Sequence, residues 1–489
     1  MMLTVDDALA RVLEATPRLP DQLVPVEQAA GRVLTESIAS DIDSPPYDKS
    51  VVDGFALRAA DVAAGIREFR VTGEVTAGDW PRMPVEPGAA IRIMTGAPMP
   101  EGADAVVMIE HTDAGMPAQP DKHSNTADAL RPADMASAAS AASGVDAPRP
   151  ADGASAAGAS GAASAASAAS GVNAADRWAP RAVVRLDGRP VVAGQNRMRR
   201  AASLAFGSVV LEAGRLIRPI EVGLLSEVGC VEVRVVPRPR VAVLSTGNEL
   251  VPPSIVPTRG QIRNSNGPML AALAEQAGAM AVPLGIARDD RQSLRQRMLA
   301  GLEADVLVLS GGVSAGALDL VPSVLEELGV VPRFHQVRLR PGKPLWFGVR
   351  SVAGRSTLVF GLPGNPVSSL VCWNLFVRPA LEQMQGRPAD GLASARGWLE
   401  SPRSYRGDRP TYWPAVFLPR GNDVVRQESG HSATDVPAAC GPDDRPRIRL
   451  LDWQGSADLR TLADANCLAF FPPGNREYTP DDPIDVRLL

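Results

Sequence analysis

From Val5 to Leu13, and again from Leu23 to Leu34, apolar residues recur at three- and four-residue steps. This spacing predicts two amphipathic helices separated by a turn over residues 17–21. A loop follows, Ser44-Pro45-Pro46-Tyr47-Asp48-Lys49-Ser50. From Phe69 to Glu110 the pattern changes to short β runs, among them Ala90-Ile91-Arg92-Ile93-Met94 and Ala105-Val106-Val107-Met108-Ile109, punctuated by Gly and Pro; a small β-rich domain is predicted. Between about Ala114 and Pro180 the chain turns to Ala, Ser, Gly and Pro with hardly any large apolar residue. Such a stretch has no face to bury, so a disordered surface insertion is expected, with a transient alanine-rich helix as the alternative, and function should survive its removal. β-like residues return at Ala182-Val183-Val184-Arg185-Leu186, which places the insertion in a lengthened hairpin of the β domain.

Beyond Arg240 strands and helices alternate: a strand over Val241–Ser245, a helix over Met269–Gln276, a strand near Ala281, a helix over Arg291–Leu302 and a strand over Asp305–Leu309. Alternation with connections of this length predicts a parallel-type sheet covered by helices, with ligands at the carboxyl ends of its strands. After about Gly391 short strands return around Trp413, Val416 and Phe417 and over Cys467–Phe471, predicting a small β domain at the C-terminus. The fold class expected is multidomain, α+β and α/β, with a central α/β domain.

Composition narrows the function. A chain of 489 residues exceeds what one core usually organises, and 45% apolar content with mean hydropathy near zero is ordinary for soluble protein. The net charge of −5 supplies no basic excess for nucleic acid, so small-molecule chemistry is expected. The cysteines Cys230, Cys372, Cys440 and Cys467 form no CxxC pair, which fits a reduced compartment. Asp6 and Asp7 stand where a targeting peptide wants positive charge, and no run of about 18 apolar residues follows, so a cytoplasmic protein away from membranes is expected. The histidines His111, His123, His335 and His431 have no ligand-like spacing, and the absence of GxSxG argues against a serine hydrolase.

Four segments of the α/β region carry candidate chemistry. In Leu309-Ser310-Gly311-Gly312-Val313-Ser314-Ala315-Gly316, with Asp319 beyond, a strand runs into paired glycines whose amides can converge on an anion, and Asp319 could hold a divalent cation shared with phosphate. The same residues also make an ordinary strand-to-helix turn with a capping Asp. Leu244-Ser245-Thr246-Gly247-Asn248-Glu249-Leu250 repeats the strand, glycine and acid pattern, and by itself reads equally as a hairpin or helix cap. Gly361-Leu362-Pro363-Gly364-Asn365-Pro366-Val367-Ser368-Ser369 is a rigid elbow that would put Ser368 or Ser369 at a helix start, hydroxyl and amide free for an oxyanion. Arg340 and Lys343, in Val337-Arg338-Leu339-Arg340-Pro341-Gly342-Lys343-Pro344, could bind phosphate or another oxyanion, or stand merely solvated on a loop.

Taken in order, SPPYDKSVVDGFALRAADV, IRIMTGAPMPEGADAVVMIE, LSTGNEL, SGGVSAG, RPGKP and GLPGNPVSS resemble the MoeA family of molybdopterin molybdenumtransferases, which includes the E domain of gephyrin. The resemblance starts at Leu3-Thr4-Val5 and covers most of the chain outside the insertion. It implies an elongated homodimer with four domains per subunit: a discontinuous linker and dimerisation domain (1–54 and 188–236), a small β-rich domain carrying the insertion (55–187), an α/β molybdopterin-binding domain (237–391) and a C-terminal β domain (392–489). It also implies an active site shared between subunits, with Asp53 and Thr95 from one and Asn248, Asp319, Arg340, Pro363 and Pro366 from the other. The implied reaction exchanges the nucleotide on adenylylated molybdopterin for molybdate, with Mg²⁺-dependent release of AMP. Ser245, Thr246, Gly247, Ser310, Gly311, Gly312, Ser314 and Gly316, with Arg340 or Lys343, would hold the anhydride. Asp319 and Glu249 would place Mg²⁺, and Lys343, Arg340 and the Ser368 region would take molybdate.

Three positions depart from the family, and each removes an acid. Asn248 stands where the family has Thr-Gly-Asp-Glu, Ala202 where a loop usually ends in Gly-Glu-Asp, and Asn264 where Asp precedes Ser265-Asn266. An amide oxygen still ligates but brings no charge. The departures motivate a rival reading, a paralogue that binds molybdopterin species or a partner without efficient turnover. A third reading, adenylyl transfer onto molybdopterin, would use only the α/β domain and leave the long N-terminal half idle.

Overall fold

The computed structural model describes residues 2–114, 183–313, 320–419 and 445–489. Beyond Ala114 the expected insertion therefore lies outside the described residues, as do Cys440, His123, His431, Ser314, Gly316 and Asp319. The chain divides into two compact units, Ile42–Ala205 and Met1–Asp41 with Phe206–Leu489. No helix among the described residues is long and apolar enough to cross a membrane.

The first helix forms where its spacing predicts. α1 (Val5–Glu14) is capped by the Thr4 hydroxyl, which accepts from the Asp7 amide, and Asp6 and Asp7 sit favourably at the positive end of its dipole. Its buried stripe, Ala8 and Val12, packs into the α/β core described below. The second predicted helix, Leu23–Leu34, does not form. Its start is a strand, β1 (Gln22–Pro25), followed by one 3-10 turn over Val26–Gln28. Pro25 biases Val24 toward extended backbone, Gly31 takes a φ of 78°, and Val24 pairs across strands with Val233 far along the chain. Long-range pairing here overrides a helical spacing.

In the unit Ile42–Ala205, β2 (Gly54–Leu57), β3 (Glu68–Val75), β4 (Ala89–Ile93), β5 (Ala105–Met108) and β6 (Val183–Arg185) form one sheet in the order β5-β2-β4-β3-β6. Alternation along the strands feeds two cores, Phe55, Leu57, Phe69 and Val107 on one face and Ala56, Val75, Ile91 and Val106 on the other. The expected hairpin across the insertion needs correction, because β5 and β6 occupy opposite edges of the sheet. β5 takes the free edge of β2 and β6 that of β3, yet beyond these strands the chain flanking the insertion still pairs in an antiparallel bridge between Thr112 and Leu186.

In the other unit, α2 (Pro219–Glu227) packs beside β1 and its antiparallel partner β7 (Glu232–Val235) around Val24, Leu34, Ile217, Leu225 and Val233. Glu221, 3% exposed, accepts from Arg215 and Arg218. Hydrogen bonds from Arg218 first, then Arg215, overcome the cost of burial and hold its carboxyl down at about 2.

The α/β domain follows with β8 (Arg240–Thr246), α3 (Asn266–Gln276), β9 (Met280–Ala287), α4 (Arg291–Gly301), β10 (Val306–Ser310), α5 (Leu320–Glu327), β11 (Val331–His335), β12 (Trp346–Val352), β13 (Arg355–Leu362) and α6 (Pro366–Cys372). The sheet order is β9-β8-β10-β13-β12-β11; the first four strands are parallel, and β12 and β11 add an antiparallel edge. β10 is buried at every position, as a central parallel strand covered on both faces must be. Val241, Val243, Val306, Val308 and Phe360 point to the face covered by α3, while Ala242, Leu244, Leu307, Leu309 and Val359 point to the face covered by α4 and α5. Each such Val, Leu or Phe side chain contributes about 1.5–3 kcal/mol by leaving water. A closed barrel ends the chain, β14 (Ser394–Leu399), β15 (Thr411–Leu418), β16 (Arg447–Leu450), β17 (Cys467–Phe471) and β18 (Pro483–Leu488) in the order β14-β16-β15-β17-β18.

Candidate functional site

Four parallel strands of the α/β sheet end together. Thr246 of β8 stands beside Ala287 of β9, Ser245 beside Ser310 of β10, and Ser310 beside Leu362 of β13. The chain beyond each end turns away and leaves a cavity of about 640 Å³ lined by Ser245, Thr246, Gly247, Ser310, Gly311, Gly312, Pro363 and Pro366. Open α/β sheets bind ligands at such strand ends. Gly311 has φ 95°, and a Cβ there would lie 2.5 Å from the Thr246 carbonyl oxygen, so only glycine lets these loops approach.

The polar lining holds two unmade bonds. Asn266, 7% exposed at the start of α3, donates through Nδ2 to Ser310 Oγ (2.7 Å) and the Gly364 carbonyl (2.7 Å). Those two bonds use both amide protons and leave Oδ1 buried with no partner. Thr246 Oγ1, on a residue 3% exposed, is also unpartnered. A buried polar atom without a hydrogen bond costs about 1–3 kcal/mol, and such atoms cluster where a ligand completes the set. Asn264, by contrast, is committed: its Oδ1 accepts from Ser245 Oγ and the Gly267 amide, both at 3.0 Å.

Among the described residues, two carboxylates and one guanidinium also line this cavity, those of Glu249, Asp289 and Arg263. Asn248 turns its side chain to Asp289 in a reciprocal pair. The Asn248 amide donates to Asp289 Oδ2 and the Asp289 amide to Asn248 Oδ1, both at 3.1 Å.

A second cavity of about 420 Å³ adjoins the first, sharing Pro344, Pro363 and Asn365 as walls. Arg340, Lys343 and Ser368 line it from the α/β domain, Arg409 and Trp453 from the C-terminal region, and no carboxylate lines it among the described residues. The loop bearing Arg340 is stitched to the barrel: the Arg340 amide donates to the Pro410 carbonyl, and the Tyr412 amide donates to the Arg340 carbonyl, each at 2.9 Å. The expected free hydroxyl and amide are not found at Ser369. Ser369 is fully buried, its hydroxyl donates to the Pro363 carbonyl and its amide to the Asn365 carbonyl, which fixes the elbow.

Asp53 and Thr95 come together within the unit Ile42–Ala205. The Thr95 amide and hydroxyl donate to Asp53 Oδ1 at 2.6 and 2.8 Å, and these bonds, the backbone one foremost, hold the carboxyl below the usual range. Ala202 lies in a turn of the same unit, its amide donating to the Arg199 carbonyl. Among the described residues no three His, Cys, Asp or Glu side chains cluster as metal ligands would. Sequence reasoning missed Asn266, Asp289, Arg409 and Trp453. The run Asn264-Ser265-Asn266 ahead of Pro268 signals a helix start and was the available cue for Asn266.

Comparison with known proteins follows this geometry. Residues 3–229 match the family described as MoeA N-terminal region (domain I and II), and residues 242–383 match one described as probable molybdopterin binding domain. The molybdopterin molybdenumtransferase of Staphylococcus aureus strain Mu50 is 30% identical over 490 residues, covering 99% of this chain and 95% of its own. That of strain MSSA476 is 30% identical over 489 residues with the same coverage. A crystal structure of the molybdopterin biosynthesis MoeA protein from Pyrococcus horikosii has TM-score 0.67 at 26% identity, covering 100% of this chain and 99% of that one.

Proposed function

Because this chain belongs to the MoeA family, we propose that it is a molybdopterin molybdenumtransferase of molybdenum cofactor biosynthesis, taking adenylylated molybdopterin and molybdate and releasing AMP. The observation that carries this reading is the pair of adjoining cavities. One is a glycine-turned cleft at the parallel strand ends, with two oxygen atoms awaiting a partner. The other is walled by Arg340, Lys343 and Arg409 without a carboxylate among the described residues, a lining suited to a tetrahedral oxyanion.

The chain's own residues divide the work accordingly. The turns at Gly247 and Gly311 let backbone come close to the phosphoanhydride, and the Ser310 and Asn266 network keeps the strand ends in register. Arg340 and Lys343 position molybdate beside it, with Ser368 at the start of α6. Shared walls at Pro363 and Asn365 keep the two reactants adjacent, so the dithiolene sulfurs can replace two oxygens of molybdate, released as water, while one water cleaves the anhydride P–O bond and AMP departs.

Magnesium fits the donor set of the first cavity. Glu249 supplies a hard carboxylate there, and a cation bound mainly through substrate phosphates needs only one or two protein carboxylates. Such a cation would neutralise charge that grows on the leaving phosphate. In this reading Asp319 is a further ligand.

Self-association is part of the same reading. α2 is apolar around most of its circumference, yet Ile220 is 73% exposed and nearby Val231 is 76% exposed, the mark of a face that another surface covers. A second copy would then bring Asp53 and Thr95 to the cleft of its partner. The neutral Asn248, Asn264 and Ala202 favour a second reading, a binder with little turnover.

Incubating the purified chain with adenylylated molybdopterin, Mg²⁺ and molybdate separates the two. Molybdate-dependent AMP release is expected. Folded protein that binds the adenylylated pterin and releases no AMP would establish the binder instead.

A further inference from the structure

Asp289 lies outside every motif that pointed to this site, yet it lines the glycine-turned cavity just beyond the end of β9. We infer that Asp289, together with Glu249, holds the divalent cation that accompanies a phosphate-bearing ligand in this cavity, an inference that rests on the reading that such a ligand binds there.

Charge makes the first part of the case. The cavity is built to bring backbone amides toward an anion, but among the described residues two carboxylates and a single guanidinium, Arg263, line it. Arg263 is also partly occupied, since its Nε donates to the Ile255 carbonyl at 3.1 Å. An anionic ligand entering this lining meets repulsion from Glu249 and Asp289 unless a cation lies between. A divalent ion shared by carboxylates and phosphate oxygens turns that repulsion into attraction on both sides.

Geometry makes the second part. Asp289 is not a loose surface acid, because the Asn248 amide holds its Oδ2 at 3.1 Å while its own amide is held by Asn248 Oδ1 at 3.1 Å. This reciprocal pair tethers the carboxylate through Oδ2 and leaves Oδ1 for another partner. The neighbouring acid, Asp290, serves a different purpose: its side chain caps α4 by accepting from the Ser293 amide at 2.8 Å. Asn248 carries no charge, so the carboxylate of this corner is supplied from position 289.

An independent observation points to an electropositive occupant. Thr246 Oγ1 and Asn266 Oδ1 belong to residues 3% and 7% exposed, line the same cavity and have no partner. The amide oxygen can only accept. Water held on a cation supplies the donors that such atoms lack, and Mg²⁺ keeps several of its waters when bound.

The full-length chain with AMP as probe and Mn²⁺ as the paramagnetic stand-in for Mg²⁺ tests this directly. Free Mn²⁺ is followed by its electron paramagnetic resonance signal, with AMP binding measured separately by calorimetry without metal. Asp289→Asn, which keeps the hydrogen-bonded pair, is expected to weaken Mn²⁺ affinity in the presence of AMP by about tenfold or more, while metal-free AMP binding holds or tightens as one repelling charge is removed. Asp290→Asn should bind Mn²⁺ as the parent does. Exchanging the pair, Asn248→Asp with Asp289→Asn, should restore affinity because it returns one carboxylate to the same corner. Unchanged Mn²⁺ affinity in Asp289→Asn overturns the inference while leaving the proposed activity standing. A parent chain that binds no Mn²⁺ with AMP overturns this inference together with the Mg²⁺ part of that reading.

Discussion

Replacing Asn266 by alanine separates the cavity's hold on a ligand from its hold on the fold. In the native chain the two Nδ2 bonds, at 2.7 Å each, contribute about 1 kcal/mol apiece net of water, while the unpartnered Oδ1 costs about 1–3 kcal/mol. Alanine removes both contributions. The two lost bonds, with the Ser310 hydroxyl and Gly364 carbonyl left without their donor, cost about 2–4 kcal/mol, and about 1–3 kcal/mol is regained with the unpartnered Oδ1, so a net loss of unfolding free energy of roughly 1 kcal/mol is expected. The ligand side has no such cancellation. Losing the acceptor removes a hydrogen bond to the bound complex of AMP and Mg²⁺, worth about 1 kcal/mol or roughly fivefold in Kd. Urea unfolding of the free protein and calorimetric titration with AMP and Mg²⁺ give the two quantities on the same preparation. A variant that loses more than about 3 kcal/mol of stability yet binds AMP as the parent does would make Asn266 structural and refute the reasoning.

Other perturbations probe the remaining parts. Gly311→Ala places a Cβ 2.5 Å from the Thr246 carbonyl at a φ of 95°, so it should strain the β8 and β10 loops, lower the melting temperature and weaken AMP binding together. Arg340→Ala with Lys343→Ala should abolish calorimetric molybdate binding and leave AMP binding within about twofold, because both cations line only the second cavity. Glu221 has a folded carboxyl pKa of about 2 against an ordinary 4.5. A depressed pKa means its stabilisation is fully present above 4.5 and fades as pH falls from 4.5 toward 2. Glu221→Gln should therefore be less stable at neutral pH, with a shallower loss of stability over that acid window in urea melts.

Much of the fold was legible because it follows from local periodicity. The apolar runs at Val241–Leu244 and Val306–Leu309 read as buried strands, and the helical spacings between them read as crossovers, which together place the strand ends and hence the first cavity. Leu23–Leu34 misread because its partner strand lies near Val233, and no local spacing encodes a pairing so distant. The hairpin across the insertion misread for a related reason: β5 and β6 each found a different free sheet edge. At the site, the glycine turns at Gly247, Gly311 and Gly364 were visible because glycine marks where backbones approach. Asn266 and Asp289 were not, since an asparagine at a helix start and an acid after a strand have ordinary capping roles. Only the lateral alignment of four strands shows that they face one cavity. Arg409 and Trp453 were hidden because the barrel that carries them meets the Arg340 loop through backbone bonds no motif announces.

The central claim is that the parallel strand ends hold an adenylyl phosphate beside a separate oxyanion pocket, and a crystal structure of the chain grown with AMP and molybdate tests it most directly. The account predicts the AMP phosphate against the Gly311 and Gly247 turns, and anomalous scattering from molybdenum between Arg340, Lys343 and Ser368. AMP bound away from those turns, or molybdenum density confined to other residues, would contradict it.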